Sequence, residues 1–366
     1  MMSVLTYQEL LDRIDKIDPA EYARSRNFLN GAVTRLSPYI SRGVIHTRTV
    51  YERVMARGYT FQEAEKLIQE LAWRDYWQQV WLRYGDGIES DLKSIQTPVK
   101  HLKELPISIM EATTGISAVD YGIRELLASG YVHNHLRMYI ASLTCNIAQC
   151  HWLSPARWMY YHLMDHDWAS NALSWQWVAG AFSEKKYYCN QENINLYCGT
   201  LQRDSFLDLS YDRLPGLEIP ESMKEVASFE LQTTIPTFAD IRLDPTLPLV
   251  IHTSYNLDPT WKEDVACNRV LLLEPSHFSR YPVSDKVLGF LMELAGRIPG
   301  IQFFGGEFSD LQSLYGGNEI HFRSHPFNAH FIGISEERPF LTDVKVVSGS
   351  FFKYWKAVKK ELAGTD

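Results

Sequence analysis

The 366-residue chain contains no apolar run approaching the roughly 20 residues that a membrane-spanning helix needs. Its N-terminus, MMSVLTYQELLDRIDKID, is polar and amphipathic and lacks the apolar centre of a secretion signal. A cytoplasmic protein with no membrane partner is expected. No GxGxxG or P-loop occurs, so glycine spacing announces no nucleotide site. Cysteine is sparse: Cys145, Cys150, Cys189, Cys198 and Cys267 form no CxxC pair. Free thiols are expected and no metal site is assigned, a cluster held by the first four being the alternative. Basic charge is not in excess either, with 36 Lys and Arg against 44 Asp and Glu, a formal net charge of −8. That excludes binding of nucleic acid by bulk charge, though not by a local basic patch.

Aromatic residues are plentiful: 20 Tyr, 17 Phe and 10 Trp. Three of the tryptophans fall in MDHDWASNALSWQWVAG, residues 164–180, beside two aspartates and an asparagine. Helical periodicity marks segments 3–17, 38–57, 61–84, 117–129, 133–148, 155–163 and 168–179, so residues 1–205 read as a helical domain. Residues 206–245 are rich in Pro, Thr, Asp and Ser and read as a linker. From 246 to 366, LPLVIHT, NRVLLLEP, GIQFFGG and EIHFRSH suit buried strands, with helices at 284–298 and 350–362. Such alternation indicates a small parallel α/β domain.

Several side-chain sets on the helical half suit a planar polar ligand. Ser37 before Pro38 signals a helix start, with Ser37 as N-cap, and Thr34 and Arg35 add anion-binding groups. Glu70, Trp73, Arg74, Trp77 and Trp81 share one helical side, either a core stripe or an aromatic wall beside a carboxylate. Asn134, Arg137 and Met138 share another, and an arginine in an apolar helix needs an acid, for which Asp165 and Asp167 are the candidates. Asp167, Asn171 and Trp175 are spaced by four, while Trp177 points elsewhere.

Taken together, TRLSPYISRG, Glu70-Leu-Ala-Trp73-Arg74-Asp75, TGISAVDYGIREL, VHNHLRM and the 164–180 stretch resemble, in order and spacing, the photolyase/cryptochrome flavoproteins over residues 20–200. The resemblance implies a mainly α chain: an all-helical photolyase-type FAD-binding domain followed by a small parallel, Rossmann-like α/β domain. It implies FAD as cofactor, with Tyr22, Thr34, Arg35, Leu36 and Ser37 among its binding residues and the hydroxyls and guanidinium on its pyrophosphate. Arg137 and Asp165 would pair beside the isoalloxazine, Asp167 would bond its polar edge and Asn171 would face N5. Glu70, Trp73, Asn134, Met138 and Trp177 match the pocket for cyclobutane pyrimidine dimers, with Trp73 and Trp177 stacking on a flipped lesion. Trp175 and Trp152 match the inner and middle members of an electron relay. The implied activity is light-driven repair of UV-damaged DNA by electron transfer from reduced flavin; the alternative is a cryptochrome-like photoreceptor with a signalling partner. A monomer is expected.

The chain departs from the family pattern at four places. His135 stands where a phosphate-contacting Arg is usual, no Trp occupies the distal relay position, and KKYYCNQENINLYCGT replaces the usual segment after WQW. The N-terminal antenna domain is missing, and the C-terminal strands resemble a shortened copy of it, implying a circularly permuted order.

Overall fold

The computed structural model describes residues 4–345 and 350–364. Ser3, the expected start of the first helix, lies outside them. That helix runs Tyr7–Ile14 behind a Thr6/Glu9 capping box. The chain forms two compact units. One joins Asp18–Val33 to Arg83–Glu230; the other joins residues 4–17, Thr34–Leu82 and the chain from Leu231 onward.

This differs from domains at 1–205 and 246–366 separated by a linker at 206–245. The physical reason lies in burial. In the second unit Trp81 is 1% exposed and meets Tyr255, Tyr281, His325 and Phe327 edge-on, so residues 34–82 share a core with the C-terminal half. The presumed linker is likewise packed in its first part, since Leu207, Leu214 and Met223 are buried in the first unit. There β2, Val226–Ala227, pairs antiparallel with β1, Leu105–Pro106.

The first unit is otherwise helical. Ser117–Ser129 and Trp168–Ala179 coincide with the periodic segments, and Gly130 and Gly180 end them in the left-handed conformation at φ +72 and +82. The expected 133–148 helix is Asn134–Ser142 followed by a π turn, Leu143–Ile147.

In the second unit Phe61–Tyr84 is continuous up to Leu82, where the unit ends. The expected 38–57 helix instead breaks into Ser37–Ser41 and Thr47–Met55. Gly43 at φ +64 lies in the break, where a Cβ would come within 2.5 Å of Tyr255 O. Strands β3 (Leu249–His252), β4 (Asn268–Leu273), β5 (Ile301–Gly305), β6 (Ile320–Arg323) and β7 (Ile334–Glu336) form one parallel sheet. The order β5-β4-β3-β6-β7 is that of a doubly wound sheet, reversing between β3 and β6. Leu249, Ile251, Val270, Leu272 and Phe322 pack on Phe308, Leu311 and Phe331. β7 escaped the pattern because it is short and exposed.

Candidate functional site

The first unit assembles the helix-borne polar groups. Asn134–Ser142 carries Arg137, and its guanidinium meets Asp165 in a two-pronged pair, Nη2 to Oδ2 at 2.9 Å and Nη1 to Oδ1 at 3.3 Å. Nε donates to Val132 O, which fixes the fork. Asp165 is therefore the acid that the half-buried arginine required. Asp167 is held differently. It is the N-cap of Trp168–Ala179, accepting from the Ser170 N–H and hydroxyl, so part of its carboxylate serves the helix start as well as any ligand. Four residues on, Asn171 is buried and donates from Nδ2 to Ala156 O at 2.7 Å, leaving its carbonyl oxygen as the acceptor on that face. The motif Thr114–Asp120 is a loop staple: Asp120 accepts from the Thr114 N–H and hydroxyl.

Asn134 is exposed at the start of its helix, and Met138 one turn on is half-buried. Trp177 is 38% exposed and stacks on Tyr187 with centroids 5.7 Å apart. Trp175 and Trp152 are both buried, and the Trp152 indole N–H donates to Asp91 Oδ1 at 2.7 Å. Sequence reading missed Asp91 and Tyr187. Asp91 lies in an aperiodic stretch, whereas Tyr187 sits in KKYYCNQEN, the segment already marked as unusual. His135 tilts against Tyr197 at 4.8 Å and meets Tyr139 edge-on, and burial, reinforced by His133, pushes its pKa down to about 4. It is thus uncharged at neutral pH and unlike the arginine it replaces. Trp168 is a core residue, packed edge-on against Tyr160. All five cysteines are free, and among the described residues no cluster of His, Cys, Asp and Glu could hold a metal.

Tyr22 is half-buried in the short helix Pro19–Ser25 of the first unit. The remaining expected residues belong to the second. Leu36 and not Ser37 flanks the short helix Ser37–Ser41, so Ser37 is its first residue and caps nothing. Leu36 is buried, which limits its contribution to backbone groups. Arg35 is exposed with φ +52, the left-handed region, and the Thr34 hydroxyl accepts from the Leu36 N–H at 3.4 Å. Glu70 lies 3.6 Å from Lys66, while Arg74 donates to the Ser41 hydroxyl. Trp73 departs most from the expectation of an open stacking face. Phe351 lies flat on it, with centroids 3.5 Å apart and an interplanar angle of 9°.

The sequence of residues 67–206 matches the family described as FAD binding domain of DNA photolyase. Residues 67–206 are thus similar to the FAD-binding domain of that photolyase family. A deoxyribodipyrimidine photo-lyase of Alkalihalophilus pseudofirmus is 31% identical over 170 residues, covering 46% of this chain and 36% of that protein. The cryptochrome DASH of Danio rerio is 28% identical over 253 residues, covering 67% of this chain and 47% of its own length. The chain thus spans less than half the length of either relative. A Synechocystis cryptochrome crystal structure aligns at a TM-score of 0.49 and 24% identity, covering 54% of this chain and 44% of that one. Among the described residues no helix is long and apolar enough to cross a membrane.

FAD is the cofactor of this photolyase-type domain. The donor chemistry of the chain fits it. Arg137 is already neutralised by Asp165, so the pair adds polarity beside a ring without leaving a net buried charge. Asn171 offers a carbonyl acceptor, and Thr34, Arg35 and Ser37 are a hydroxyl–guanidinium–hydroxyl set suited to phosphate oxygens. Residues 22 and 34–37 precede the matched segment, so their assignment rests on chemistry and motif alone.

Proposed function

We propose that this chain is a light-dependent flavoprotein that repairs cyclobutane pyrimidine dimers in DNA. The observation that carries the reading is a set of accessible groups on two helices that pack on each other: Asn134 exposed and Met138 half-buried on Asn134–Ser142, and Trp177 presenting an indole to solvent on Trp168–Ala179. An exposed tryptophan, with an amide and a thioether on the neighbouring helix, suits a splayed base, whose π-face stacks while its polar edge bonds.

In this reading Arg137 and Asp165 hold the flavin ring and Asn171 accepts at N5, while the motif assigns Thr34, Arg35 and Ser37 to the pyrophosphate and Tyr22 and Leu36 to cofactor binding. When bound, the flavin supplies an electron under blue light. The chain's residues position and insulate. Trp177 stacks the lesion and Asn134 bonds its edge; the sequence motif assigns Glu70 and Trp73 to lesion binding as well. Trp152 and Trp175 serve as the protein's electron donors, with Asp91 holding the Trp152 indole N–H. The α/β half is read as a shortened antenna-type domain placed after the helical one, and its doubly wound strand order supports this.

The test is direct. Purified protein with reduced FAD, an oligonucleotide containing one thymine dimer and anaerobic blue light should restore the undamaged bases. Full flavin loading without any restoration refutes repair. A second reading, a photoreceptor that signals to a protein partner, is favoured by the neutral His135 and by the net charge of −8. It predicts a photoreducible flavin and no preference for damaged DNA.

A further inference from the structure

The Trp73–Phe351 stack lies wholly within the second unit. Its partner ring comes from the last helix, Phe351–Ala363, outside the photolyase-matched residues 67–206. That helix is unevenly secured. Tyr354, Trp355, Val358 and Leu362 are buried, Trp355 stacks on Phe61, and Lys359 reaches Glu65 at 3.0 Å. Its first turn is held by one ring alone: Phe351 is buried and also meets Tyr76 edge-on, but its flanking residues are not secured. Ser350 at the N-cap makes no side-chain cap bond, and Phe352 is 69% exposed. An uncapped first turn is the part of a helix that opens most readily. Phe351, its first residue, nevertheless lies flat at van der Waals distance on the indole. Aromatic pairs generally favour offset or edge-on contacts, and a parallel ring at this separation sits where a stacked nucleobase would sit.

We propose that Phe351 is a built-in competitor for the nucleobase-stacking face of Trp73, so that the last helix holds the chain in a self-blocked state. The inference rests on the reading of Trp73 as a lesion-stacking residue given above. Damaged DNA displaces Phe351 by opening the first helical turn, while the helix from Tyr354 onward stays docked. Only molecules with the ring withdrawn bind through Trp73, so apparent affinity is reduced by the fraction that is open. A bound strand in turn favours the open state by the same factor, as linkage requires.

The experiment uses the full chain loaded with FAD and a fluorescent oligonucleotide with or without one thymine dimer. F351L and F351M keep apolar volume and remove the ring, and circular dichroism and the thermal midpoint report that they remain folded. We expect either variant to bind the dimer strand about tenfold more tightly than wild type, the scale of one aromatic pair. W73A placed in the F351L background erases that gain. If wild type prefers the dimer strand and neither variant improves on it, the self-blocking proposal fails and the repair reading stands. If neither wild type nor variants distinguish the two strands, both fail together. A gain that survives W73A also overturns the proposal, because the ring would then be blocking something other than Trp73.

Discussion

Trp177 and Trp73 are both proposed to stack on a lesion, yet their surroundings are opposite. Trp177 leans on Tyr187 and keeps 38% of its surface open, in a unit that pairs Arg137 with Asp165. Trp73 is stacked under Phe351 in a unit that also buries His252 and His325 and half-buries His277. A motif specifies which side chain stands at a helical position. It does not specify what the rest of the chain lays over it. The first unit therefore carries the readable, accessible stacking face, and the second carries polar groups whose states depend on their packing.

Acid should separate the two units most strongly. Burial pushes His252 down to about 4 and His277 to about 3, and drives His325 well below its ordinary value of 6.5. As pH falls below about 6.5 the unfolded chain takes up these protons and the folded one does not, so stability is lost on the way down to about 4. Asp75 works the other way: burial raises it to about 6 despite bonds from Thr47 and the Leu341 N–H, so its folded form protonates first and gains stability between about 6 and 4. Three histidines outweigh one aspartate, a net loss on the order of a few kcal/mol between pH 7.5 and 5. Hydrogen exchange corrected for intrinsic rates should show protection falling at pH 5 in peptides from 250–340 more than in those from 117–179. Equal loss in both would remove the contrast.

Two largely buried arginine–aspartate pairs sharpen it further. Arg137–Asp165 in the first unit has its counterpart in Arg323–Asp258, 3.0 Å, in the second. Asp165→Ala strands a guanidinium that is 23% exposed at the side chain, at a cost of about 3 kcal/mol. Asp258→Ala strands Arg323, 12% exposed at the side chain, at a similar cost. Urea denaturation should therefore treat them alike, while the ratio of flavin to protein absorbance should fall only for Asp165→Ala. Equal flavin loss from both would mean that the ratio reports unfolding and not a cofactor contact.

How much of this was legible follows the same division. The helices 61–84, 117–129 and 168–179 could be read because their apolar period is regular, and Arg137 demanded an acid because a lone buried charge is costly. The grouping of 34–82 with the C-terminal sheet could not, since it depends on contacts such as Trp81 with Tyr255 between residues far apart in sequence. The break at Gly43 was hidden in an unbroken periodic pattern, and Phe351 stood in an ordinary amphipathic helix. Asp91 and Tyr187 joined the tryptophans from segments with no period at all.

The tryptophans themselves give the next contrast. Trp177→Ala removes a partly exposed ring, so it should leave the unfolding midpoint nearly unchanged and weaken binding of a dimer-containing strand by about 1–3 kcal/mol. Trp73→Ala removes a ring stacked face-to-face inside its unit and should cost about 3 kcal/mol of stability. Its effect on DNA binding in an otherwise unaltered chain should be smaller than that of Trp177→Ala, because Phe351 already occupies the face. Fluorescence anisotropy with the two variants at equal folded concentration measures this directly. An equal loss of binding would put Trp73 in the open set with Trp177.

The smallest expected effect concerns Asp167, which has two claims on one carboxylate. As N-cap it accepts from the Ser170 N–H and hydroxyl, bonds that an asparagine oxygen can also accept. Asn and Asp are nearly equivalent caps, so Asp167→Asn should change stability by about 0.5 kcal/mol or less. Its charge is another matter. If the carboxylate also bonds the polar edge of the flavin, neutralising it should lower flavin affinity and shift the bound flavin's absorption bands while the thermal midpoint stays put. If cap and cofactor both tolerate the change, Asp167 serves the helix alone, and the flavin contacts of the first unit reduce to Arg137, Asp165 and Asn171. A stability loss of about 2 kcal/mol would instead show that the charge, interacting with the helix dipole, is what holds the start of Trp168–Ala179.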